Sequence, residues 1–78
     1  SIKLPITLAI NSKKYKKIMQ LEETLNTLDL ISYFYILKFD NRVVQYRIIY
    51  NGSPKNFFNN MTKNDFNLTT ENNIWFVK

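Results

Sequence analysis

The sequence predicts an α+β fold: a ferredoxin-like βαββαβ sandwich, with an antiparallel sheet, two helices on one face, and a hairpin as the last strand. Three observations predict it. Apolar residues alternate with period two in residues 4–10 and again in Val43–Tyr50. A helically spaced apolar stripe follows the first of these segments. A serine–proline helix start follows the second.

Leu4, Ile6, Leu8 and Ile10 alternate with Pro5, Thr7 and Ala9, the pattern of a strand with one buried face. Pro5 lacks an N–H and belongs at the strand's start. Ser12 offers a helix N-cap, and Tyr15, Ile18, Leu21, Leu25 and Leu28 form one stripe. These predict a helix over 13–28. Ile31–Phe39 is almost continuously apolar and aromatic, which favours a strand. Asp40-Asn41 is a two-residue hairpin signal. On the return strand, Val44, Tyr46, Ile48 and Tyr50 share the core face, leaving Val43, Gln45, Arg47 and Ile49 on the other.

Gly52, the only glycine, follows Asn51 at the end of that strand. Ser53-Pro54 then supplies a cap and a proline at the first helical position. Phe57, Phe58 and Met61 provide the buried face of a short helix ending near Lys63 or Asn64. Phe66 and Leu68 alternate as a short strand. Glu71-Asn72-Asn73 turns the chain, and residues 74–77 return. In the ferredoxin-like order the first and third strands are central, in keeping with their apolar character, and the second is an edge. Residues 1–78 are read as a single such domain. The start at Ser1, without a methionine, fits a fragment of a longer protein or a tag scar.

Composition narrows the chemistry. There is no cysteine and no histidine, so thiolate chemistry, disulfides and imidazole bases or ligands are excluded. The carboxylates Glu22, Glu23, Asp29, Asp40, Asp65 and Glu71 include no pair positioned for acid–base or metal work. Glu22 and Glu23 are helix neighbours and do not face each other. A phosphate-binding loop needs several glycines. The reading is therefore of a non-enzymatic protein with no cofactor and no metal site. No apolar run approaches the roughly 20 residues that span a bilayer.

The net charge of +5 suggests anionic partners, with Lys13, Lys16 and Lys17 as a candidate anion patch at the start of the first helix. Compositional bias competes with that reading, since Asn, Lys and Ile are abundant together and Lys far outnumbers Arg. The aromatic edge strand is the second feature. Tyr33, Phe34, Tyr35 and Phe39 cannot all face a helix-covered core, and an exposed apolar edge is an interaction surface. The expected partner is a protein or a second copy of the chain. Nucleic acid is the alternative, bound by the basic helix end and sheet aromatics. RNA-recognition modules of this strand order carry rings on the open face of the central strands, and here those positions hold none. Trp75 is expected to seal the end of the core.

Five segments together resemble a known family: the strand at 4–10, the helix start with Tyr15 and Ile18, residues 46–52, the helix at 57–61, and the closing Ile74-Trp75-Phe76-Val77. They resemble the C-terminal module of an uncharacterised proteobacterial domain-of-unknown-function family of exported proteins. The resemblance covers nearly the whole chain and lies in core and turn positions. It implies a C-terminal fragment of a bacterial protein of the periplasm or cell envelope, with no catalytic residues to carry over.

Overall fold

Strand β1 (Leu4–Asn11) forms the middle of a five-stranded sheet. The computed structural model describes residues 3–78. Its further elements are α1 (Tyr15–Thr27), β2 (Ile31–Phe39), β3 (Val43–Tyr50), α2 (Pro54–Lys63), β4 (Leu68–Glu71) and β5 (Ile74–Val77). The sheet order is β2-β3-β1-β5-β4.

The alternation read from β1 and β3 is the alternation observed. Leu4, Ile6, Leu8 and Ile10 stand opposite Tyr50, Ile48, Tyr46 and Val44. All of these but Leu4, which is half-buried, are buried in one cluster with Leu21 and Leu25 of α1 and Phe57 and Met61 of α2. Both helices therefore cover the same face. Burying such a side chain stabilises by about 1.5–3 kcal/mol.

The sheet is mixed, which corrects the expected antiparallel one. β1 pairs antiparallel with β3 but parallel with β5, and β4 lies outside β5. In the hairpin it is the second arm that reaches β1. The side chains explain this choice. β5 is Ile-Trp-Phe-Val, apolar on both faces, and suits an inner position. β4 is Leu-Thr-Thr-Glu and suits an edge. Asn72 and Asn73 join the arms with φ of 52° and 64°, as a type I′ turn requires.

Local corrections follow from backbone hydrogen bonding. Ser12 does not cap α1. The Asn11 side-chain oxygen instead accepts from the Lys13 N–H at 2.8 Å, closing a turn that delays the helix to Tyr15. The N-cap is then Lys14, which makes no side-chain cap. Tyr15, at the outer end of the stripe, is 73% exposed. The β2–β3 loop holds three residues, because the Asp40 carboxylate accepts from the N–H groups of both Arg42 and Val43. Ser53 caps α2 as expected, accepting from the Asn56 N–H at 3.1 Å, and Pro54 opens the helix. Phe58 is partly exposed and leans on Trp75, whereas Phe66 is buried just before β4 starts.

Candidate functional site

Strand β2 is the edge beside β3, with its other side unpaired among the described residues. Its register against β3 is broken twice, between Ile31 and Tyr33 and between Ile36 and Lys38. Each irregularity inserts one residue and reverses the strand's parity. Ile31, Phe34, Ile36 and Phe39 consequently stand on the helix-covered side, opposite Tyr50, Ile48, Tyr46 and Val44. Tyr33, Tyr35 and Lys38 stand on the other side, opposite Ile49, Arg47 and Gln45.

The expected interaction edge is largely present, with one correction. Tyr33, Tyr35 and Phe39 are exposed, Phe39 at 72%. Phe34 is half-buried, its ring edge-on to Tyr46 at 6.1 Å. Alternation leaves either Phe34 and Ile36 or Tyr33, Tyr35, Leu37 and Phe39 outside the core; Ile36 and Leu37 are in fact both exposed, one from each set. Strict alternation assigns whole strands to faces, and nothing in the string Ile-Ser-Tyr-Phe-Tyr-Ile-Leu-Lys-Phe marks where a residue is inserted. Phe39 and Ile36 face the helix side yet stay exposed.

The second broad surface is the sheet face opposite the helices. Across its middle run Tyr35, Arg47, Thr7, Ile74 and Glu71, each the register partner of the next. Tyr33 and Tyr35 stack with ring centroids 6.4 Å apart and planes 14° apart. β1 and β3 place Pro5, Thr7, Ala9, Val43, Gln45, Arg47 and Ile49 on this face with no aromatic ring among them, and β5 adds Phe76 opposite Ala9. The Arg47 Nε is buried and finds no hydrogen-bond partner among the described residues.

The three lysines of the candidate anion patch are not brought together as one site. Lys17 is engaged within the fold. Its Nζ donates to the Lys78 main-chain oxygen at 3.2 Å and lies 5.9 Å from the centre of the Phe66 ring. Lys16 is exposed on α1, and Lys13 precedes the helix. Lys13 instead lines a surface depression with Lys38 and Arg42, beside Asn11, Gln45 and Phe76. Only the fold could bring Lys38, Arg42 and the carboxylate Asp40 to the same depression as Lys13.

The polar groups with shifted acidity serve the scaffold. Asp40 is held below the usual carboxylate range by the backbone N–H groups of Arg42 and Val43, with Lys38 and Arg42 adding to the effect. Burial raises the Tyr46 hydroxyl pKa, and its hydrogen bond to Glu22 raises it further. Trp75 is half-buried, edge-on to Phe57 at 5.9 Å, and caps the core. Among the described residues no three carboxylates gather as metal ligands, and no helix is long and apolar enough to cross a membrane.

Comparison with known proteins finds no matching family model, no matching curated protein and no matching solved structure.

Proposed function

We propose that this chain is a non-enzymatic interaction module that docks a protein partner along β2. The observation that carries the reading is a nine-residue edge strand whose side chains Tyr33, Tyr35, Ile36, Leu37 and Phe39 are all exposed. An unpaired strand edge offers a row of backbone donors and acceptors, and alternate side chains add selectivity. The other edge, β4, has four residues and polar side chains, so it competes poorly.

The reading extends to a ferredoxin-like frame in which the second arm of a hairpin occupies the position beside β1. It also extends to a larger bacterial protein of the periplasm or envelope, supported by the resemblance in core and turn positions. A photoreactive residue at Leu37 tests the docking surface in cells producing the chain. A protein adduct is expected there and none from the same residue at Thr69 on β4. Absence of any adduct at position 37 would refute β2 docking.

One arrangement favours a second reading, single-stranded nucleic acid bound across the open sheet face. The stacked Tyr33–Tyr35 pair stands beside Arg47, the register partner of Tyr35, and rings beside cations suit bases and phosphates. Titration with single-stranded RNA and DNA at two salt concentrations tests it. Affinity should rise as salt falls, and no binding at low salt ends it.

A further inference from the structure

We propose that the partner of β2 is a second copy of this chain, paired antiparallel about a two-fold axis at Tyr35 to give one continuous ten-stranded sheet. This rests on β2 being the docking strand, and it names the occupant.

The strand is self-complementary in this alignment. Tyr35 is the midpoint of Ile31–Phe39, so a two-fold axis there uses the whole strand. Tyr35 then meets Tyr35, Tyr33 meets Leu37, Phe34 meets Ile36, and Ile31 meets Phe39 of the other copy. Residues opposite each other in an antiparallel pair must lie on the same face. Phe34, Ile36, Ile31 and Phe39 all lie on the helix side and Tyr35 lies on the open side, while the inserted residues Ser32 and Leu37, opposite Lys38 and Tyr33, have no partner on β3 to assign them a face. A shift of one residue would set the Tyr33 and Tyr35 rings against helix-side Phe34 and Ile36 and break the match.

Burial and charge agree with this alignment. Phe39 and Ile36, left exposed by the helices of their own copy, gain apolar neighbours from the other copy. Cross-strand aromatic and aliphatic pairs of this kind are the stabilising units of a sheet. The chain carries a net charge of +5, yet Lys38 is the only charged residue in β2. In this alignment Lys38 meets Ser32. The two Lys38 side chains are separated by about six residues of strand, roughly 20 Å, which exceeds the screening length of about 8 Å in physiological salt.

Cysteine substitution tests the axis cleanly, because the chain has no cysteine of its own. Cα atoms directly opposite in an antiparallel pair stand about 4.5–5.5 Å apart, within disulfide range. Tyr35→Cys alone should give a covalent dimer under mild oxidation. Tyr33→Cys and Leu37→Cys should cross-link when mixed but only slowly when separate. Thr70→Cys on the opposite edge is the background control. By sedimentation the unmodified chain should have twice the 9.4 kDa chain mass. Tyr35→Lys places like charges on the axis and should weaken association at least tenfold, while its circular dichroism stays native.

A chain that sediments at 9.4 kDa at every concentration, or a Tyr35→Cys variant that cross-links no faster than Thr70→Cys, overturns self-pairing. Adducts at Leu37 with a different protein, from a monomeric chain, would overturn it while leaving β2 as the docking strand. Absence of adducts at Leu37 would remove both.

Discussion

The hydroxyl of Tyr46, on β3, donates to the carboxylate of Glu22, on α1. Tyr46 is buried, and its ring lies in the row that joins β1 to both helices. The bond thus fixes the position of α1 over the sheet at a point where apolar packing alone would allow sliding.

Tyr46→Phe should destabilise the fold by about 1.5–3 kcal/mol, the usual worth of a hydrogen bond to a charged group. Urea unfolding checks this. The bond also predicts a pH dependence. The folded-state pKa of Tyr46 lies above that of the unfolded chain. Its contribution is therefore complete below about pH 10, the ordinary tyrosine value, and is lost as pH rises above it. The native chain should lose stability in that alkaline range more steeply than Tyr46→Phe does.

Gly52 is required by space. A Cβ there would lie 2.8 Å from Cε2 of the Tyr50 ring. That ring is buried and held by its hydroxyl, which donates to the Asn56 side-chain oxygen and accepts from Asn60 Nδ2 at 2.8 Å. The ring cannot give way without breaking these bonds. Gly52→Ala should cost about 1–3 kcal/mol, as overpacking does. Gly52→Ala in a Tyr50→Leu background should cost much less, and a double-mutant cycle by thermal unfolding measures the difference.

Asp40 closes the β2–β3 loop through two backbone N–H bonds that its ionised form accepts best. Its folded pKa lies below the unfolded value. The stabilisation is present above about pH 4, the ordinary aspartate value, and is lost as pH falls through the lower folded value. In an NMR titration the Asp40 carboxyl carbon should show a midpoint below that of an unfolded peptide. Asp40→Ala should remove this acid-range component and fray the loop.

Much of the frame was legible in the residue order. Alternation in β1 and β3, the stripe through Leu21 and Leu25, and the Ser53-Pro54 start each reflect a local rule that the finished fold obeys. Side-chain period and capping chemistry operate over a few residues, so they can be read from those residues. The parity of β2 could not be read this way, because its two insertions depend on how a neighbouring strand is spaced. Nor could the choice of β5 over β4 beside β1, or the shared depression lined by Lys13, Lys38 and Arg42. Those outcomes depend on competition among segments far apart in the chain for the same backbone partners and the same buried surface. Such a competition is resolved only when all the segments are present together in space.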